Sequence, residues 1–272
     1  MKKIICSILL VLFTCTFCVC IYRIIQIKQE YDFGVDTYSA LEVYASIPQE
    51  PATPEGGHAP GRPVVLPNGE TEYLDSFDPE VEITRWPVVD FTALSAINPD
   101  IVAWIYIPGT NIHYPVVQGK DNDEYLYCTF DGNYNRAGCI FLDANVTADF
   151  SGQNSIIHGH NLLNNTMFAS LLSYQDQSFY EEHPIALLIT PEGKYRIAFF
   201  SAYVSDVYSG AWNTAFSDED FVKWQSKIAG KSCFSTDITP TPSDRIVTLS
   251  TCSYEFSNAR FVVHGILLPE EE

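Results

Sequence analysis

Beyond Phe91 the chain is cut into short apolar runs of strand length, each closed by glycine, proline, asparagine or aspartate. The runs WIYIP and NIHYPVV, rich in aromatic and β-branched residues, follow one another across the turn Gly109-Thr110-Asn111. That is the signature of adjacent strands rather than of a helix. Further runs of the same kind occupy residues 139–143, 154–158, 185–190, 195–204, 245–251 and 260–268. So many short strands must close their edges, and the pattern predicts a mainly β fold, a closed or nearly closed barrel with a few peripheral helices. Helical patterns interrupt it at FTALSAIN, which stops before Pro99, at residues 166–174, and at residues 217–229. The last opens with Ser217 and the acids Asp218, Glu219 and Asp220, an N-cap followed by an acidic first turn, and ends at Gly230.

The other end of the chain obeys a different rule. After Lys2 and Lys3, residues 4–22 are almost wholly apolar, about the length that crosses a bilayer core. The two lysines favour an orientation with the following residues outside the cell. No small-x-small cleavage site follows, so a signal anchor over residues 1–25, contacting membrane through residues 4–25, is expected rather than a cleaved leader. Cys6, Cys15, Cys18 and Cys20 lie in this run, preceded by Ile, Thr, Phe and Val rather than the small residue a lipoprotein site needs. From residue 26 to 90 prolines and acids accumulate, which predicts an extended extracellular stalk. Residues 91–272 are then the globular domain, held outside the membrane. A formal charge of −19 excludes a counterion-releasing nucleic-acid binder.

Three residues of the domain carry chemistry. Cys252 ends the strand-like RIVTLSTC, at the mouth of its strand. A thiol attacks as thiolate, and an unperturbed one ionises only near pH 8.5, so a catalytic cysteine needs a charged neighbour; a buried structural cysteine is the alternative. In SIIHGHN a hydrophobic strand runs into Gly159, His160 and Asn161, a turn that projects His160 from a strand end, where an imidazole can pass a proton to a leaving amine. Arg260 opens RFVVHGILL eight residues after Cys252, a spacing that lets the chain return beside the cysteine. Its guanidinium suits an oxygen that becomes negative, although a surface arginine reads the same way in isolation. His158 and His160, with His264 as third ligand, form a rival metal-site pattern, but no acid is evident beside them. No metal or cofactor is required by the main reading. Cys128 and Cys139 flank a polar, Gly-containing turn and are candidates for a disulfide.

Taken together, INPDIVAWIYIPGTNIHYPVVQGKDNDEYL, GCIFLD, NSIIHGHN, TLSTC and NARFVVHG, in that order, resemble the sortase family, and class B sortases in particular. SDEDFVKWQSKIAG stands where that class carries an inserted helix. The resemblance implies a cysteine transpeptidase with Cys252 as nucleophile, His160 as proton donor and acceptor, and Arg260 as oxyanion or substrate ligand. It implies that secreted proteins bearing an Asn-Pro-x-Thr-like C-terminal sorting signal are cleaved after Thr. The acyl group would pass to a peptidoglycan amine or a pilin lysine. His158 stands where relatives often have an aromatic residue and His113 where they often have an acid. The rival functions are an extracellular cysteine protease and a non-catalytic stalked adhesion module; a Ser-His-Gly-Cys run, which would mark an L,D-transpeptidase, does not occur.

Overall fold

The computed structural model describes residues 2–48, 62–65, 71–74 and 85–270. The prolines at 51, 54, 60, 67 and 79, on which the expected stalk largely rests, lie outside the described residues. The chain opens with helix α1 (Lys2–Leu41), followed by strands β1 (Ala45–Ser46), β2 (Arg62–Val65), β3 (Thr71–Leu74) and β4 (Val88–Val89). Helix α2 (Phe91–Ile97) leads into β5 (Ile101–Tyr106), β6 (His113–Val117), β7 (Ile140–Leu142) and β8 (Asn154–His158). A 3-10 segment (Ala169–Gln175), helix α3 (Gln177–Glu182), β9 (Ile185–Ile189), β10 (Lys194–Asp206), helix α4 (Asp218–Ala229), β11 (Ile246–Cys252) and β12 (Ala259–Pro269) complete it. Eight strands, in the order β10-β12-β11-β8-β7-β6-β5-β9, form a closed barrel, as the strand pattern predicts. Two of the pairings are parallel, β6 with β7 and β8 with β11; the rest are antiparallel.

The barrel is buried on both faces along β11 and β12, which is why those strands read as continuous apolar runs. Val247, Leu249, Phe261 and Val263 belong to the barrel core, while Ile246, Val262 and Ile266 belong to a second cluster outside it. Helix α4 covers that outer face with Phe221, Trp224 and Ile228. Each such side chain contributes about 1.5–3 kcal/mol when fully removed from water. Ser217 caps α4 by accepting from the Asp220 backbone N–H at 3.2 Å. Under the helix lies His264, fully buried. Thr248 Oγ1 donates to Asn154 Oδ1 at 2.7 Å, so it must accept from His264 Nδ1 at 2.8 Å. Nε2 is then left to accept from the Tyr203 hydroxyl at 3.2 Å. The ring is neutral, with burial as the main cause pushing its pKa down to about 3.

The segment at 166–174 is helical, as its pattern predicts, and takes the tighter 3-10 form over Ala169–Gln175. Phe168, Leu171 and Tyr174 recur every third residue, and all three are fully buried. A three-residue turn lines such a series up on one side. One expectation is corrected. The helix that begins at Lys2 does not give way to extended chain at residue 26 but continues to Leu41. Between residues 26 and 41 there is no proline, and Gly34, Tyr38 and Leu41 recur at helical spacing and are buried against the barrel. Gly34 allows the approach: a Cβ there would sit 3.2 Å from Ala137 Cβ. β1 then pairs with β4, Ala45 opposite Val89, closing the chain back onto the domain.

His264 sets a pH dependence. In the folded protein it takes a proton only near pH 3, whereas an unfolded chain does so near 6.5, so in between the unfolded state holds more protons. Stability therefore rises with pH across that window, and His113, lowered to about 4 by burial, adds to the same trend. The urea midpoint should fall steadily as pH drops below about 6.5. His264→Gln should remove about one proton from that slope, about 1.4 kcal/mol per pH unit at most; an unchanged slope would refute the assignment.

Candidate active site

Cys252 is the last residue of β11, and its partner across the antiparallel ladder is Arg260, the second residue of β12. Residues directly opposed in such a ladder present side chains to the same face, with Cβ atoms about 4.5–5.5 Å apart. The interval of eight read from the sequence is thus a hairpin. Its return is tightened by Ser253 N–H donating to Ala259 O at 3.1 Å and by Asn258 in the left-handed region, φ 62°. The Arg260 guanidinium is steadied on its own strand, where Nη1 donates to Ala259 O at 3.0 Å.

His160 arrives from the other side. β8 runs parallel to β11 with Ser250 beside His158, and the ladder ends there. The turn that follows is tied to β11 by three bonds. Gly159 N–H donates to Ser250 O at 3.0 Å, Thr251 Oγ1 donates to Gly159 O at 2.8 Å, and Asn161 Nδ2 donates to Cys252 O at 3.0 Å. Gly159 is dictated by the packing beneath it: a Cβ would lie 2.5 Å from Ile140 Cδ1 and 2.7 Å from the Phe168 ring. The His160 ring is oriented by Nε2 donating to Leu126 O at 2.8 Å, with the Tyr127 ring centred 6.1 Å away. Cys252, His160 and Arg260 line one cavity of about 340 Å³, walled by Leu126, Phe141 and Trp212. Trp212 is held there by Nε1 donating to Ser250 Oγ at 3.0 Å.

The sequence showed no acid beside the two histidines, and the structure supplies one. Asp143 Oδ2 accepts from His158 Nε2 at 3.0 Å. The signal was present in GCIFLD, but using it required the β7–β8 register, which sets Phe141 opposite His158. Burial alone would raise the Asp143 pKa, yet bonds from His158 and Asn145 outweigh it and hold the carboxyl well below the usual carboxylate range. Asn122 Nδ2 adds a further bond at 2.9 Å. His158 and His160 both border the cavity but have separate partners, and His264 lies under α4, so the three histidines are not gathered as a metal site. Cys128 and Cys139 come together as free thiols, with Cys139 Sγ donating to Cys128 O at 3.1 Å.

A closed barrel that places a strand-end cysteine opposite an arginine, with a histidine on the neighbouring parallel strand's turn, has known counterparts. Residues 105–268 match the family model for the Sortase domain. The chain is 40% identical over 176 residues to Sortase B of Staphylococcus aureus, and 35% identical over 178 residues to Sortase B of Listeria monocytogenes. Each alignment covers 64% of this chain and 72% of the relative. Among solved structures, the Staphylococcus aureus sortase B–substrate complex is similar with a TM-score of 0.64 at 38% identity, covering 66% of this chain and 85% of that one. Clostridium perfringens sortase B gives 0.63 at 37% identity, covering 66% and 100%. The chain belongs to the sortase family. Within it, it is a class B sortase and a cysteine transpeptidase, as its motifs led one to expect.

Because Gly159 is hemmed in, Gly159→Ala should displace the turn that carries His160. It should cost about 1–3 kcal/mol in urea unfolding and lower kcat/KM in the fraction that remains folded. A variant with wild-type stability and rate would show that the turn yields without consequence.

Proposed function

We propose that Cys252 is the nucleophile, His160 the proton carrier and Arg260 the oxyanion or substrate ligand of a sorting reaction. The observation that carries this reading is the convergence of the Cys252 thiol, the His160 imidazole and the Arg260 guanidinium on a single cavity, two of them paired by the ladder. The Cys252 thiolate adds to the carbonyl carbon of a Thr in the sorting signal, and Arg260 stabilises the resulting oxyanion. Collapse breaks the C–N bond and leaves a thioester. With Nε2 engaged by Leu126, Nδ1 is the nitrogen through which His160 protonates the departing amine. A second amine then attacks the thioester, gives its proton to His160, and releases the Cys252 thiolate.

Cleavage after Thr of an Asn-Pro-x-Thr-like signal, and a peptidoglycan amine or pilin lysine as acceptor, complete the proposal. The solved complex of Staphylococcus aureus sortase B with a substrate supports a bound sorting peptide of this general kind. Residues 1–25 are assigned as a single-pass anchor and residues 91–272 as an extracellular catalytic unit. The support for the anchor is that α1 is long and apolar enough to cross a bilayer and that its described apolar residues are exposed up to residue 29.

Incubation with a sorting peptide should leave an acyl adduct on Cys252, detected by mass spectrometry, and Cys252→Ala should abolish it. Product should shift from hydrolysed to amine-linked when an acceptor amine is added; indifference to the amine would instead mark a protease. His160→Ala should reduce transfer by about 10²–10⁴-fold. His264→Ala should lower stability while sparing kcat/KM of the folded protein, and the reverse pattern would exchange the roles of the two histidines.

A further inference from the structure

The transition along α1 from fully exposed to one-sided burial is abrupt. The described side chains from Leu9 to Gln29 are exposed, and from Glu30 onward the inward positions are half-buried or buried at helical spacing, through Tyr31, Gly34, Tyr38 and Leu41. The first contacts are made by one loop of the barrel. Asn135 Nδ2 donates to the Glu30 carbonyl at 2.8 Å, Arg136 N–H donates to Glu30 Oε1 at 3.1 Å, and the Arg136 side chain pairs with the same carboxylate. From Tyr22, where the apolar run ends, to Glu30 the helix rises about 12 Å. A bilayer's headgroup layer is about 5–8 Å deep on each side. The loop clasping Glu30 is therefore held within a few ångströms of the outer edge of the headgroup layer.

That loop is equipped for such a place. Tyr127 and Tyr134 stack with ring centres 6.3 Å apart and are 50% and 71% exposed, although each is a large aromatic. Tyrosine, with an apolar ring and a polar tip, is the residue type favoured at the membrane–water boundary. Residues 126–139 carry one acid, Asp131, and one base, Arg136, so in a chain of charge −19 this segment brings no net charge to the interface. The same loop supplies Leu126 O, which orients His160, and Tyr127 lies beside the His160 ring.

We propose that the loop holding Tyr127 and Tyr134 is seated in the headgroup layer of the bilayer that α1 crosses, so that the mouth of the catalytic cavity opens at the membrane surface. This rests on the anchor reading of α1. The partner is the lipid surface itself, and the loop is the barrel's foot on it.

The test uses the full chain reconstituted in phosphatidylcholine vesicles, with and without lipids brominated near the headgroup end of the acyl chain, which quench indole fluorescence on contact. Tyr134→Trp, at an exposed position outside the catalytic set, should add emission to that of the parent protein and lose most of the added part when bromolipid is present. Val11→Trp, within the exposed apolar stretch of α1 and read with lipids brominated near the acyl-chain end, serves as the reference for the anchor. Quenching of both variants supports the proposal. Quenching of Val11→Trp alone overturns the docking and leaves the anchor standing, whereas quenching of neither overturns the anchor reading and the docking with it.

Discussion

The antiparallel pairing of β11 with β12 is the constraint on which the site depends. It places Cys252 opposite Arg260, so that the thiol and the guanidinium are set by backbone register rather than by the conformation of long loops. A slip of one residue would turn one of the two to the opposite face. Register here is secured by burial on both sides, with Val263 and Leu249 inside the barrel and Val262 and Ile246 beneath α4. The cost of moving any of these into water far exceeds what a local distortion returns. The geometry of the candidate site is thus inherited from the packing of the core.

The second half of the site depends on a different kind of pairing. β8 and β11 are parallel and far apart in sequence, so the cysteine and histidine meet only once the barrel has closed. Hydrogen bonds from Thr251 and Asn161 then tie the His160 turn to the cysteine strand. Asp143 and His158 form a second polar pair on the same cavity, with the carboxylate fully engaged by neighbouring donors. That pair gives the cavity an ionised carboxylate in addition to the Arg260 guanidinium, held in place before any substrate arrives.

Much of this was readable in the chain. Strand length and composition located the barrel strands to within two residues, except that β5 begins three residues before WIYIP, and Ser217 with its trailing acids marked α4. Cys252, His160 and Arg260 were legible as candidates because each sits at a strand end, where a local pattern is enough. What was missed depended on contacts between distant segments. Asp143 belongs with His158 only through the β7–β8 register, and the 3-10 winding of the helical segment at 166–174 shows only once Phe168, Leu171 and Tyr174 are seen to face the core together. Residues 26–41 read as polar stalk because a narrow buried seam of Gly34, Tyr38 and Leu41 is diluted by exposed neighbours.

The parallel contact between β8 and β11 bears on how such an enzyme fails. Local openings of a folded protein are drawn from its least packed segments, and strands inside a closed barrel separate only when the whole structure does. Here the thiol ends one interior stave of the barrel, and the imidazole sits on the turn just beyond the adjoining stave, tied back to the thiol's strand. Thermal fluctuation can loosen a more distant rim loop without parting them, so the pair has few arrangements between intact and lost. Its geometry is a gauge of the cooperative unit as a whole.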